Sequence, residues 1–321
     1  MSEDVDVSAL ERRRYRGPHP GLGIALGGGV ARGWAHIGVM KAIREAELPV
    51  RMIAGTSIGA LVGGCYMAGK LDALEDFAVG LTRRRLLSFF DLSLRGSGLI
   101  QGMKLAEKMQ EHIDGVHIEN LDGKLVCVAA EITTGHEIWL SHGNLIDAMR
   151  ASYALPGIFE PIQLDGRILV DGAIVNPVPV SPCRAYECAV VVAVNLASET
   201  FGRGAVVRNV RPQNVAISIE EPRPPTAVVP VKTLWRTLFG ERGSSIGITG
   251  VMMESFDIIT DRITRSRLAG DPPDMVLTPP VDVIGLTDFH RAQEAIAIGY
   301  ASTMADMPRL EAAAAASLRA V

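Results

Sequence analysis

A serine between two glycines carries the strongest chemical signal in this 321-residue sequence. The segment Gly55-Thr56-Ser57-Ile58-Gly59 fits the Gly-x-Ser-x-Gly pattern of a nucleophile elbow, in which the serine sits on a sharp turn between strand and helix. Glycines leave room where the strand reverses, and the positive end of the helix dipole favours an alkoxide on Ser57. An ordinary glycine-rich helix start is the alternative. We take Ser57 as the candidate nucleophile.

A glycine run upstream of this serine is the candidate oxyanion site. Gly27, Gly28 and Gly29 precede a predicted helix, and such a run exposes backbone N–H groups that can cradle an anion. In an acyl hydrolase the anion is the oxyanion of the tetrahedral intermediate. Arg32 is placed to order this loop. A phosphate-binding loop is the alternative, but the sequence lacks the Gly-Lys-Ser/Thr ending, and Ala25 interrupts the dinucleotide-binding pattern.

An aspartate at the end of a predicted strand is the candidate base. Asp171 follows the apolar segment 168–170 and precedes a glycine. A carboxylate there can reach another loop at the same edge of the sheet, although an Asx turn is the commoner use of an Asp-Gly pair. A histidine could complete a triad instead, and the candidates are His36, His136, His142 and His290. We weigh each below Asp171, and we expect His36 to pack or to hydrogen-bond within a helix.

An α/β scaffold is needed to position these residues. Apolar runs at 21–26 and 50–54 alternate with helical patterns at 33–47 and 58–69. Strand, helix, strand and helix with short links predict parallel pairing and right-handed crossovers. Later strands are predicted at 125–130, 137–140, 168–170, 188–196 and 275–278, and later helices at 145–152, at 246–268 and from 288 to the end.

Composition and charge exclude several classes of protein. Hydrophobic residues make up 48% and charged residues 21%, as in ordinary globular proteins. The net charge of −4 argues against a general nucleic-acid binder. The four cysteines form no Cys-x-x-Cys pair, so neither a disulfide framework nor a zinc site is expected. No apolar stretch follows the basic start, so we expect no secretory signal and a cytoplasmic, or membrane-peripheral, location.

The segment 198–245 is rich in Gly, Arg and Pro, and we expect it to be a variable insertion that acts as a lid. Within it, the stretch 231–239 carries apolar residues on one predicted helical face. That face predicts peripheral contact with a membrane. Packing on the core or in an oligomer is an equally weighted alternative. The apolar residues are Val231, Leu234, Trp235, Leu238 and Phe239.

The order and spacing of the three motifs resemble the patatin-like phospholipases. The matching segments are 27–33, 55–59 and 171–173. Further segments look like the bacterial branch of that family, which is related to neuropathy target esterase, and the resemblance covers about 21–197 and 246–302. These segments are His36-Ile37-Gly38-Val39, Ala151-Ser152, Pro156-Gly157-Ile158-Phe159, Asn176-Pro177-Val178-Pro179 and Asp288-Phe289-His290-Arg291.

The resemblance implies a three-layer α/β fold with a mainly parallel central sheet and helices on both faces. It also implies a dyad of Ser57 and Asp171, oxyanion donors from the glycine run 27–29, and no metal or other cofactor. The implied substrate is a lipid ester, with phospholipase A or lysophospholipase activity. An acyltransferase with the same dyad, a regulatory adaptor and a nucleotide-binding protein remain alternatives. We expect a flexible leader at 1–20, one domain at 21–302 and a helical tail at 303–321, and the oligomeric state stays open.

Overall fold

The computed structural model of the protein describes residues 19–82, 111, 113–197 and 248–319. Most of the predicted leader, the insertion 198–245 and its apolar stretch 231–239 therefore lie outside the described residues. The strands are β1 (His19–Leu26), β2 (Val50–Thr56), β3 (Lys124–Glu131), β4 (Glu137–Leu140), β5 (Ile162–Leu164), β6 (Arg167–Asp171), β7 (Cys188–Val194) and β8 (Met275–Leu277). The helices are α1 (Ala35–Glu45), α2 (Ile58–Met67), α3 (Leu71–Val79), α4 (Leu145–Ser152), α5 (Val180–Ala185), α6 (Ile248–Gly270), α7 (Ala292–Ala305) and α8 (Met307–Arg319).

The described strands form one sheet in the order β5-β6-β3-β2-β1-β7-β8, with β4 also paired to β3. The pairings among β3, β2, β1, β7 and β8 are parallel, which confirms the prediction made from the alternating strands and helices. The strands β4, β5 and β6 pair antiparallel. Short turns join β3 to β4 and β5 to β6, and a short connection between neighbouring strands permits only antiparallel pairing.

Apolar side chains cover both faces of the sheet. In β1, Ile24 and Leu26 face a core that includes residues from α1, α2, α3, α4, α7 and α8. Ala25, which points to the opposite face, belongs to a second apolar cluster that includes residues of α5, and Leu268 of α6 packs against that cluster. This alternation follows from the twofold side-chain period of a strand. The predicted three-layer arrangement is therefore confirmed.

The helical region predicted from residue 288 onward is divided into several elements. A short 3-10 turn at Phe289–Arg291 precedes α7, and α7 ends before Asp306. Pro308 lies in the first turn of α8, where a missing N–H is tolerated, whereas the same ring inside a continuous helix would clash with the preceding turn. Leu310 and Ala314 of α8 are buried against the sheet, so the described part of the predicted tail packs into the domain.

Candidate active site

Two strands meet end to end on one edge of β3. Val128 pairs with Thr56 of β2 on one side and with β4 on the other. Ala129, the next residue, pairs with Asp171 of β6 on one side and again with β4 on the other. The strands β2 and β6 therefore share one edge of β3, and they run in opposite directions along it. Their carboxyl ends, which carry Ser57 and Asp171, converge at the junction of Val128 and Ala129.

The sharp turn after β2 presents the Ser57 side chain to Asp171. Ser57 Oγ donates a hydrogen bond to Asp171 Oδ2 at 2.6 Å. The backbone of Ser57 has φ 58° and ψ −124°, a conformation that non-glycine residues rarely adopt and that marks a strained turn. A Cβ at Gly59 would overlap the carbonyl oxygen of Leu26, and one at Gly55 would overlap the backbone of the following helix. The two glycines of the motif are therefore required by close packing.

The Asp171 carboxyl group is almost fully buried, with only 1% of the residue exposed. Its Oδ1 accepts a hydrogen bond from the Ala173 N–H at 2.8 Å, so the Asx turn and the contact with Ser57 occur together. Burial raises the pKa of Asp171 to about 6, although the hydrogen bonds from Ser57 and Ala173 act in the opposite direction. A carboxylate with a pKa close to the working pH is a more effective proton acceptor than an ordinary one.

Two neighbouring hydroxyl groups hold the elbow in place. Ser152 Oγ accepts a hydrogen bond from the Ser57 N–H at 2.9 Å and donates one to the Val128 carbonyl at 2.6 Å. Thr56 Oγ1 donates to the Asn176 carbonyl at 2.8 Å, which joins β2 to the loop after Asp171. The sequence prediction assigned no role to either hydroxyl, because only the fold shows which backbone groups they face.

The glycine loop lies beside Ser57, and two of its three glycines use their N–H groups to hold the loop. Gly27 N–H donates to the Val194 carbonyl at 3.1 Å, and Gly28 N–H donates to the Pro177 carbonyl at 2.9 Å. Both N–H groups therefore already donate to backbone carbonyls. From the sequence alone, all three glycines are expected to donate to an oxyanion instead.

The next two N–H groups of the loop, those of Gly29 and Val30, find no acceptor among the described residues. Val30 has a φ of 50°, in the left-handed region that a β-branched residue avoids. Strain of this kind often accompanies a functional backbone arrangement. The Cβ that would be added at Gly28 lies 3.8 Å from Ser57 Cβ, which places the loop next to the nucleophile.

Arg32 is buried and connects the glycine loop to two other segments. Its Nε donates to the Ile284 carbonyl at 2.9 Å. Its Nη1 lies 3.3 Å from Asp257 Oδ2 of α6. Burial raises the pKa of Asp257, whereas the positive charge of Arg32 acts to lower it. These contacts are consistent with the predicted loop-ordering role of Arg32.

His36 lies in α1, fully buried, and binds the glycine loop. Its Nε2 donates a hydrogen bond to the Gly27 carbonyl at 2.7 Å. Burial lowers the pKa of His36 to about 4, so the ring is neutral at physiological pH. The predicted role of His36 as a hydrogen-bonding residue of a helix agrees with this contact. His290 lies in the 3-10 turn before α7.

The cleft around Ser57 and Asp171 has a mixed lining of apolar and polar side chains. Helix α6 supplies several of them and thus forms one wall of the cleft. The apolar residues include Val30, Met253, Phe256 and Leu286, and the polar residues include Arg32, Asn195, Asp257, Thr260 and Thr264. Such a lining suits a ligand with one apolar and one polar part.

Neither a metal cluster nor a membrane-spanning helix is seen in the described ranges. No group of three or more His, Cys, Asp or Glu side chains within them could hold a metal ion. Of the helices described, none combines the length and the apolar character needed to cross a bilayer.

Comparison with known proteins assigns the family. The family model of the patatin-like phospholipases matches residues 24–184, which is half of the chain and includes both Ser57 and Asp171. The chain belongs to the patatin-like phospholipase family. The match confirms the resemblance inferred from the motifs, and this phospholipase-family chain also has the α/β fold that the resemblance implies.

Individual relatives of this patatin-like protein include NTE family proteins, mycobacterial ones among them, as the motifs indicated. An uncharacterized NTE family protein of Mycobacterium tuberculosis is 32% identical, over 90% of this chain and 92% of its own. The neuropathy target esterase of Drosophila melanogaster is 30% identical, over 56% of this chain and 13% of its own. A lysophospholipase of Coccidioides immitis is 27% identical, over 87% of this chain and 17% of its own. Among solved structures, VipD from Legionella pneumophila has a TM-score of 0.44 and 13% identity, covering 91% of this chain and 67% of that one.

Proposed function

We propose that this patatin-like protein hydrolyses the carboxylic esters of phospholipids or lysophospholipids, with Ser57 as nucleophile and Asp171 as base. The observation that carries the proposal is the 2.6 Å hydrogen bond from Ser57 Oγ to Asp171 Oδ2 at the convergence of β2 and β6. Membership of the patatin-like phospholipase family and the relative named a lysophospholipase support a lipid ester as the substrate.

In the first half of the reaction, Ser57 Oγ attacks the carbonyl carbon of the ester. Asp171 accepts the hydroxyl proton as the new carbon–oxygen bond forms. The tetrahedral intermediate then collapses, the bond to the alcohol breaks, and Asp171 returns the proton to the departing alcohol oxygen. The products of this half are an ester of the acyl chain with Ser57 and the free alcohol, which is a lysophospholipid from a phospholipid or a glycerophosphodiester from a lysophospholipid.

In the second half, water attacks the acyl-serine carbonyl. Asp171 accepts a proton from the water and then passes it to Ser57 Oγ as the fatty acid leaves. Because the same carboxylate acts as base and then as acid in each half, its pKa of about 6 suits both roles near neutral pH.

The oxyanion would be stabilised by backbone N–H groups of the glycine loop. We assign this task to Gly29, with Val30 beside it, because both N–H groups lack an acceptor among the described residues. Gly27 and Gly28 hold the loop, and Arg32 fixes it to α6. One such donor typically contributes a factor of roughly 10² to 10³ in kcat.

An acyltransferase or a regulatory adaptor is not favoured by these observations. An adaptor would gain nothing from keeping Asp171 buried against Ser57, because burial of an ionised carboxylate costs folding free energy. Transfer to an alcohol would use the same intermediate, and no described residue favours an alcohol over water as the acceptor.

A fluorophosphonate label followed by peptide mapping tests the proposal. We expect the label on the peptide that contains Ser57, and we expect Ser57→Ala to lose both labelling and hydrolysis of a lysophospholipid by several orders of magnitude. The exposed Ser266 of α6 provides a matched control, since Ser266→Ala should leave both unchanged. Labelling at another serine, or hydrolysis that survives in Ser57→Ala, would remove Ser57 from the mechanism.

A further inference from the structure

Helix α6 turns its polar side to the protein interior and its apolar side outward. Polar residues of this helix are almost fully buried, and several of them line the cleft at Ser57. On the opposite side, large apolar side chains are about half exposed. The buried polar residues are Asp257, Thr260, Asp261 and Thr264. The exposed apolar residues are Val251 at 51%, Met252 at 50%, Ile258 at 45% and Ile259 at 52%.

The exposed residues form one continuous stripe along the helix. Residues spaced by three, four, seven and eight positions share a helical face. Val251, Ser255, Ile258, Ile259 and Arg262 have this spacing, and Met252 lies beside them. We call Val251, Met252, Ile258, Ile259 and Arg262 the outer stripe. An exposed apolar stripe on a folded protein marks a surface that binds a partner or a membrane.

The charges on the exposed part of α6 are mainly positive. From Val251 to Gly270, three arginines and one glutamate are exposed, whereas the two aspartates, Asp257 and Asp261, are buried and paired with arginines. Arg265 and Arg267 also contact Asp261 and Glu137. The exposed charged residues are Glu254, Arg262, Arg265 and Arg267. A local positive charge next to apolar side chains is complementary to an anionic lipid surface.

We propose that the outer stripe of α6 docks on an anionic lipid surface and so brings the catalytic cleft to its substrate. The proposal rests on the proposed lipid hydrolysis for its purpose, but the binding itself is independent of catalysis. The inner side of the same helix lines the cleft, and a helix with its side chains is only about 10–12 Å across. Docking through this side would hold the cleft within one helix diameter of the bilayer.

The position of the stripe favours a lipid surface over a protein partner. On the inner side of the same helix, Met253 and Phe256 line the cleft at Ser57, and they belong to an apolar cluster with Leu155 and Leu286. An acyl chain that leaves a bilayer docked on this side can pack against these apolar side chains as it approaches Ser57. A protein bound on the stripe would cover this approach, and would need negative charge to match the arginines.

Binding to vesicles measures the proposal directly. We suggest phosphatidylglycerol–phosphatidylcholine vesicles and the full chain carrying Ser57→Ala, so that no lipid is consumed. The pair Ile258→Ser and Ile259→Ser should lower the vesicle partition coefficient about tenfold or more, which corresponds to at least about 1.4 kcal/mol. Met304→Ser with Leu318→Ser is the matched control, because these residues are 43% and 56% exposed on α7 and α8. The control pair should bind vesicles like the parent protein.

The positive charge of Arg262 allows a second test of binding to anionic lipid. Arg262→Gln should weaken binding to anionic vesicles but not to purely zwitterionic ones, and the difference should shrink in high salt. With Ser57 restored, the Ile258→Ser and Ile259→Ser pair should hydrolyse a soluble short-chain ester like the parent and unfold at the same temperature.

Three results would overturn the docking proposal. Vesicle binding that the stripe variants leave unchanged shows that another surface binds lipid or that none does. A lower unfolding temperature, or loss of soluble-ester hydrolysis, shows that the stripe packs within the protein. A dimer that the stripe variants dissociate shows that a second copy covers the face. Failure of the proposed function is distinct, since it would appear as absent ester hydrolysis in the parent protein whatever the vesicle binding.

Discussion

Replacement of Asp171 by Asn should inactivate the protein and also stabilise its fold. Burial raises the pKa of Asp171 from its ordinary value of 3.8 to about 6. The difference of about two pH units corresponds to about 3 kcal/mol of folding free energy, since one unit corresponds to about 1.36 kcal/mol. Asn has a similar volume and no charge, its Oδ1 can still accept from the Ala173 N–H, and its amide can face Ser57 Oγ.

The stabilisation should depend on pH with a definite sign. A carboxyl group whose pKa is raised in the native state holds its proton more tightly there than in the unfolded chain. The free energy of unfolding of the parent protein therefore falls as the pH rises from about 4 to about 6, and the loss is complete above pH 6. Asp171→Asn does not titrate, so its advantage should be about 1–3 kcal/mol at pH 8 and close to zero at pH 4.

Urea unfolding at pH 4, 6 and 8, compared with ester hydrolysis at pH 8, provides the assay. We expect Asp171→Asn to lose at least about a thousandfold in kcat while its urea midpoint at pH 8 increases. The exposed Asp282 offers a control, because Asp282→Asn removes the same charge without a burial cost. A stability difference that does not change with pH, or a destabilised Asp171→Asn protein at pH 8, would refute the argument from burial.

The kcat/KM for a soluble ester should fall about tenfold for each pH unit below about 6, because the protonated form of Asp171 cannot accept the Ser57 proton. A flat pH–rate profile between pH 4 and 6 would exclude Asp171 as the base. Ser152→Ala should slow fluorophosphonate labelling of Ser57 about ten- to a hundredfold, because the Ser57 N–H loses its acceptor. A labelling rate equal to that of the parent would show that this contact does not position the nucleophile. Gly59→Ala should lower the free energy of unfolding by more than about 3 kcal/mol, since the new Cβ would overlap the Leu26 carbonyl. Gly270 has open space around it, so Gly270→Ala should change the free energy of unfolding by less than about 1 kcal/mol. Similar urea midpoints for the two variants would contradict the packing argument.

The local parts of the site could be predicted from the sequence because they depend on nearest neighbours. A strand that reverses into a helix has room only for small residues, so the pattern at 55–59 predicts a sharp turn with the serine between its glycines. Helix α4 coincides with the predicted segment 145–152, and β3 and β4 pair at the predicted positions. The family, too, was predicted from the order of three short motifs, and the family model confirms it.

Contacts between distant segments were decided only by the tertiary structure. The distance between Ser57 and Asp171, which are 114 positions apart, depends on β2 and β6 sharing one edge of β3, and β6 runs antiparallel to its neighbour. Hydrophobic periodicity identifies strands, but it does not give the order in which they pair. Ser152 and Thr56 gained their roles in the same way, from the carbonyl and N–H groups that the sheet placed opposite them.

The side of α6 that faces the core could not be predicted from its sequence pattern. Its helical pattern was predicted from the spacing of apolar residues, and the usual inference is that such residues face the core. In the structure the polar residues Asp257 and Thr260 face inward, where Arg32 and the catalytic cleft provide polar partners, and Ile258 and Ile259 face outward. The amino-acid pattern determines that a helix has two different sides, whereas the partners available in the folded protein determine which side is buried.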